Sequence, residues 1–78
     1  MVSARAQAQV NRDKNALRGL YGVKPDPKTM PDINLAAGED MFAAVMQMVE
    51  AGELESYRVD GTWYYAVTEY LKPYRPTV

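Results

Sequence analysis

The sequence predicts a small α+β domain in which two to three helices pack on a C-terminal β-hairpin. One observation is an apolar-faced helical segment at residues 39–51, which a glycine follows. Another is a pair of segments rich in β-branched and aromatic residues on either side of Asp60-Gly61, a strong hairpin signal. The 78 residues also suit a single domain, and its small core has no cysteine to form a disulfide.

The first predicted helix spans roughly residues 10–21. Ser3 is a suitable N-cap for a longer helix, but the larger apolar residues of the stripe start only at Val10. Residues 1–9 offer little besides alanine to bury, so we predict a flexible N-terminal arm there. The folded domain is then expected at residues 10–71, with Gly22 as the C-cap of the first helix.

A loop and a short second element are predicted between the two main helices. Three prolines lie between residues 24 and 31, and each lacks a backbone donor and disfavours helix at the residue before it. Residues 33–37 then form either a short extended piece or one helical turn, with Asn34 as a possible N-cap.

The central helix is predicted at residues 39–51. Its large apolar residues repeat with helical spacing and predict a wide buried face, made of Met41, Phe42, Val45, Met46, Met48 and Val49. The acidic pair Glu39-Asp40 is expected in the first turn, near the positive end of the helix dipole. The solvent side is expected to carry Asp40, Ala43, Ala44, Gln47 and Glu50, and Gly52 is expected to end the helix.

The hairpin is predicted to pair strand 54–59 with strand 62–68. A two-residue turn sets the register, in which Val59 faces Thr62, Arg58 faces Trp63 and Tyr57 faces Tyr64. We expect one face to pack on the helices, namely Leu54, Trp63, Tyr65 and Val67. The other face, which includes Tyr57, Val59, Tyr64 and Ala66, is expected to stay partly exposed, and Arg58 to lie over the Trp63 ring. After the hairpin, Tyr70 and Leu71 are expected to pack back, and residues 72–78 to form an extended tail.

The residues from Met48 to Leu54, followed by those from Tyr57 to Tyr65, resemble the end of the third helix and the wing of winged-helix domains. The resemblance covers residues 41–67. It implies a helix-turn-helix before the wing, although the second helix is shorter here than the family pattern. Winged helices include DNA readers, RNA binders and protein-docking modules, so the resemblance implies a fold and leaves the function open.

The residue inventory excludes several kinds of chemistry. The chain contains no histidine and no cysteine, which removes the usual zinc sites, histidine acid–base catalysis and catalytic triads. Its glycines are scattered and form no phosphate-binding loop. We therefore expect no enzymatic activity, no cofactor and no metal. No apolar run approaches the roughly 20 residues of a membrane span, and no signal peptide is recognisable, so we expect a cytoplasmic protein without membrane contact, of bacterial or phage type.

The charges are unevenly distributed along the chain. Residues 1–28 carry six basic and two acidic side chains, whereas residues 29–57 carry six acidic and no basic ones. The helix that would enter a DNA groove is therefore negative and would be repelled by phosphates. This favours a regulatory or adaptor module, of inhibitor type for example, that binds another protein. The predicted binding residues are Asp40, Gln47, Glu50, Tyr57, Arg58 and Tyr64.

Two alternatives stay open. A small winged-helix DNA-binding transcriptional regulator would use the basic N-terminal helix and the wing, through Arg5, Arg12, Lys14, Arg18 and Arg58. A homodimer could form if the basic first helix of one copy met the acidic face of another.

Overall fold

The computed structural model describes residues 3–68, which form three helices and a two-stranded antiparallel hairpin. The predicted α+β class, with helices packed on a C-terminal hairpin, is confirmed. The elements are α1 (Ala4–Val23), α2 (Met30–Ala37), α3 (Phe42–Glu50), β1 (Glu55–Val59) and β2 (Thr62–Ala66). The predictions for Tyr70, Leu71 and the tail at residues 72–78 lie outside the described residues.

Helix α1 is longer than the sequence predicts. It begins at Ala4, because the side chain of Ser3 caps it by accepting a hydrogen bond from the Ala6 N–H at 3.1 Å. At the other end the cap residue is Lys24, whose N–H donates to the Leu20 carbonyl. The predicted helix start near residue 10 and the predicted C-cap at Gly22 are therefore wrong, because residues 4–9 already belong to α1.

Helix α2 begins inside the predicted proline loop. The Thr29 hydroxyl accepts from the Asp32 N–H at 3.3 Å, and Pro31 lies in the first turn, where its missing N–H breaks no helical hydrogen bond. Gly38 ends the helix at a φ of 74°. Asn34 is not the N-cap of this helix. Its side-chain oxygen instead accepts from the Met41 N–H at 2.8 Å and so links α2 to the start of α3.

Helix α3 is shorter than predicted at its N-terminus. It begins at Phe42, whose N–H donates to the Asp40 carboxylate at 2.9 Å. The acidic pair Glu39-Asp40 thus precedes the helix and does not form its first turn, which corrects the prediction. Asp40 still satisfies one of the amide groups that a helix leaves free at this end.

The predicted glycine stop of α3 is confirmed. Gly52 has a φ of 79°, and its N–H donates to the Val49 carbonyl at 3.1 Å. The next N–H, that of Glu53, donates to the Met48 carbonyl at 2.9 Å. This pair of bonds is the Schellman motif, which needs a left-handed residue at the position of Gly52.

The hairpin has the predicted register. Val59 pairs with Thr62, Arg58 with Trp63 and Tyr57 with Tyr64. Both turn residues have positive φ, 50° at Asp60 and 82° at Gly61, as a two-residue turn between twisted strands requires.

The segment between α1 and α2 pairs with the free edge of β2. The N–H of Lys28 donates to the Tyr65 carbonyl at 3.0 Å, and the N–H of Tyr65 donates to the Lys28 carbonyl at 2.8 Å. The same Tyr65 carbonyl accepts from the buried Tyr21 hydroxyl at 2.5 Å. The proline-rich segment is therefore held by α1 and the hairpin, in an element order that is consistent with a winged-helix-like domain.

One core fills the space between the helices and the base of the hairpin. Its buried members are Val10, Leu17, Tyr21, Ile33, Met41, Ala44, Val45, Met48, Leu54, Tyr65 and Ala66. Burial along β2 increases from the turn towards the base, so Trp63, the second residue of β2, is 48% exposed. The predicted packing face is correct for Leu54 and Tyr65 and wrong for Trp63. Ala66, which is expected on the outer face, is fully buried at the hairpin base.

Candidate functional site

The outward side of α3 is the first part of the candidate surface. The helix turns Ala44, Val45 and Met48 into the core, which leaves Phe42 53% exposed. The predictions that Phe42 is buried and Ala44 exposed are therefore wrong. Six large apolar residues in nine positions cover more than one side of a helix, so their spacing does not decide which of them faces the core.

An apolar stripe runs along this outward side. Phe42, Met46 and Val49 lie four and three residues apart and so share one face, on which Met46 and Val49 are half-buried. Two exposed carboxylates, those of Asp40 and Glu50, lie near the two ends of the stripe. Both carboxylates are exposed, as the sequence predicts.

Gln47 occupies a different side of α3 from the one predicted. Its side-chain amide exchanges two hydrogen bonds with Gln7 of α1, at 3.0 and 3.1 Å, and also accepts from Lys14 Nζ at 3.2 Å. Its side chain thus links α1 to α3. We therefore leave Gln47 out of the candidate surface, although the sequence suggests it as a binding residue.

The basic side chains of α1 are largely engaged within the domain. Arg18 forms a two-pronged ion pair with Glu53, at 2.9 Å from Nε and 2.7 Å from Nη2. This hydrogen-bonded pair holds the pKa of the Glu53 carboxyl below its ordinary value. Arg12 Nη2 donates to the Gln9 side chain at 2.6 Å. Arg12, Lys14 and Arg18 are three of the five cations that the DNA-binding alternative needs.

The exposed side of the hairpin carries the second part of the candidate surface. Arg58 is exposed and lies over the Trp63 ring, 5.9 Å from the guanidinium carbon to the ring centroid, which agrees with the predicted cation–π contact. Tyr57 and Tyr64 are paired across the strands and half-buried against the core.

Two carboxyl groups approach each other beside the N-terminal end of α3. A hydrogen bond between the carboxyls of Glu39 and Asp13 raises the pKa of Glu39, and nearby Arg12 partly offsets this effect. Two carboxyl groups this close to each other make the region locally negative. No signal in the sequence places Asp13 and Glu39 together, since they belong to different elements.

A cavity of about 250 Å³ lies between α1, the end of α3 and the start of the hairpin. Its walls are the apolar side chains of Met48, Leu54 and Val67 together with the Tyr21 ring, and the Arg18–Glu53 ion pair lies at its edge. Val67 is next to Thr68, where the described part of the chain ends.

Among residues 3–68, no group of three or more acidic side chains is arranged to hold a metal ion. No helix in that range is long and apolar enough to cross a membrane. The expectations of no cofactor and no catalysis stay predictions from the residue inventory.

Comparison of the chain with protein-family models, with curated proteins and with solved structures gives no match. The winged-helix resemblance therefore stays a prediction from the sequence pattern.

Proposed function

We propose that this domain is a non-catalytic regulatory or adaptor module that binds another protein through the outward side of α3 and the hairpin. The observation that carries the proposal is the exposure of Phe42 on a helix side with carboxylates and no basic residue. Exposed aromatic side chains are costly to keep in water and are enriched at the centres of protein interfaces. The exposed Trp63 with Arg58 above it adds two residue types that are common among interface hot spots. A cytoplasmic location belongs to the same proposal, since a chain without cysteine needs no oxidising compartment to fold.

DNA binding is the second candidate, and the exposed cations Arg5 and Arg58 favour it. It is weaker because affinity for duplex DNA rises with the number of phosphates neutralised. Lys14 already donates to Gln47, and Arg18 is paired with Glu53. A DNA complex would have to break these contacts or do without them.

Site-specific photo-cross-linking tests the proposal. The photo-reactive amino acid p-benzoylphenylalanine replaces Phe42 in one variant and Trp63 in another, and each is irradiated in cells of the organism that encodes the protein. Val23, which is 86% exposed on α1, provides the matched control position. We expect the variants at 42 and 63 to attach to the same protein, and the variant at 23 not to do so. Absence of an adduct at 42, or the same adducts from all three positions, would contradict the proposal.

A further inference from the structure

We infer that the partner that binds the outward side of α3 is a cationic amphipathic polypeptide segment. On α3, Phe42 is the apolar residue that anchors this contact. This inference rests on the proposed function and adds the chemistry of the partner. It begins from Phe42, which lies at the start of α3 with about half of its surface in water.

The apolar part of the contact follows from the stripe on α3. Met46 and Val49 continue the exposed ring of Phe42 along the helix and are themselves only half-buried. A partner side chain placed against this stripe would remove apolar surface from water at roughly 25 cal/mol per Å². The stripe therefore favours a partner that has an apolar face of its own.

The charge of the partner follows from the side chains that flank the stripe. Asp40 lies just before Phe42, to whose N–H it is hydrogen-bonded, and Glu50 is the last residue of the helix. No Lys or Arg occurs between residues 29 and 57, so this negative field has no cation on α2 or α3 to offset it. A partner with Lys or Arg would be attracted here, and one with carboxylates repelled.

The spacing of the two charges defines the partner further. The Asp40 carboxylate is bonded to the N–H of Phe42, which lies eight residues before Glu50 in the helix, so the two charges are roughly 12 Å apart along its axis. A partner helix that lies along α3 can place one cation at each end of the stripe if those cations are two turns apart. Apolar residues between the two cations would then lie against the stripe. A basic amphipathic helix has this arrangement.

Two dye-labelled 18-residue peptides of the same amphipathic pattern provide the probe, one built from Leu and Lys and the other from Leu and Glu. Fluorescence anisotropy measures their affinity for the complete chain. We expect the Leu/Lys peptide to bind more tightly, by a margin that shrinks as salt is added. Phe42→Ala and Glu50→Lys should each weaken its binding at least about fivefold, the lower end of the effect of truncating a residue that contributes to an interface.

Two matched variants control for general loss of apolar surface and of negative charge. Leu35→Ala removes an apolar side chain that is 83% exposed on α2, and Asp26→Lys makes the same charge change in the linker before α2. Both should bind the Leu/Lys peptide as the unaltered chain does, and circular dichroism checks that every variant folds. The inference is overturned if the two peptides bind alike, or if either Phe42→Ala or Glu50→Lys is no weaker than its control. If the inference fails in this way, a photo-cross-link from position 42 to a protein would still support the proposed function. If that cross-link is absent as well, the proposed function and the inference are both rejected.

Discussion

Trp63 and Leu17 are both large apolar residues, yet only Leu17 is fully removed from water. Leu17 lies in the middle of α1 against the core and is 0% exposed, whereas Trp63 lies near the tip of the hairpin and is 48% exposed. The sequence pattern identifies both as apolar residues within regular elements. It does not show how far the hairpin extends beyond the helices that cover its base.

Replacement of these two residues by alanine should therefore have unequal effects on stability. If the Trp63 side chain were fully buried, Trp63→Ala would lower the free energy of unfolding by about 3–5 kcal/mol. Because the side chain is half exposed, we expect a loss of only about 1–2 kcal/mol. Leu17→Ala should cost about 2–5 kcal/mol because it leaves a cavity in the core. Urea unfolding followed by far-UV circular dichroism measures both changes. An equal or larger loss for Trp63→Ala would contradict the placement of the hairpin.

The Tyr21 hydroxyl should make stability depend on alkaline pH. Burial raises the pKa of Tyr21, and the hydroxyl donates to the Tyr65 carbonyl only when it is protonated. A group whose pKa is raised by folding stabilises the fold below its ordinary pKa, near 10 for tyrosine, and loses that contribution as the pH rises further. The free energy of unfolding should thus fall above about pH 10. The fall should be smaller in Tyr21→Phe, which we expect to cost about 0.5–1.5 kcal/mol at neutral pH. An identical alkaline slope in both proteins would contradict this account.

At the scale of elements, local signals predicted the hairpin turn and the end of α3 but not where the helices begin, and tertiary contacts decided which faces are buried. The hairpin register follows from Asp60-Gly61, and the stop of α3 from Gly52, because each depends on backbone conformation within a few residues. Whether Phe42 faces solvent and Gln47 faces α1 depends on where α1 packs against α3. Hydrophobic spacing alone carries no information about that neighbour.

Replacing glycine by alanine should change the stability in opposite directions at Gly19, within α1, and at Gly52, after α3. Gly52 has a φ of 79°, so Gly52→Ala forces a left-handed conformation on a residue with a Cβ and should cost about 1–2 kcal/mol. Gly19 lies inside α1 and a Cβ there meets no atom within 4 Å, so Gly19→Ala should stabilise the domain by about 0.5–1 kcal/mol. Thermal unfolding of the two variants beside the unaltered protein gives the comparison. A stabilising Gly52→Ala would refute the assigned end of α3.

The Arg18–Glu53 pair should link α1 to the turn between α3 and β1 in a manner that depends on pH and salt. Because the pKa of Glu53 is lowered in the fold, its contribution is present above the ordinary pKa of a glutamate and disappears as the pH falls through the lowered value. A double-mutant cycle with Arg18→Met and Glu53→Gln should give a small favourable coupling at neutral pH, since both side chains are nearly half exposed. The coupling should decrease in high salt and vanish in acid. A coupling that is unchanged at low pH would mean that the contact is not ionic.

At the scale of the whole molecule, the distribution of charge determines which partners are favourable. Four of the nine basic side chains belong to α1, where Lys14 and Arg18 are engaged in contacts to α3 and to Glu53. The segment from residue 29 to 57 has carboxylates only, and it includes the exposed ring of Phe42. The sequence revealed this asymmetry of charge. The pairing of the cations and the exposure of the Phe42 ring needed the folded chain.

The most direct test of the central claim, that this surface serves polypeptides and not nucleic acid, is a titration of a labelled random-sequence DNA duplex with the protein. Fluorescence anisotropy at about 50 mM salt would detect even weak electrostatic binding, which is strongest at low salt. We predict no saturable binding, because the outward side of α3 is negative and two of the cations on α1 are already paired. Tight binding that falls steeply with added salt, and that is lost when Arg12, Lys14 and Arg18 are neutralised together, would contradict the claim.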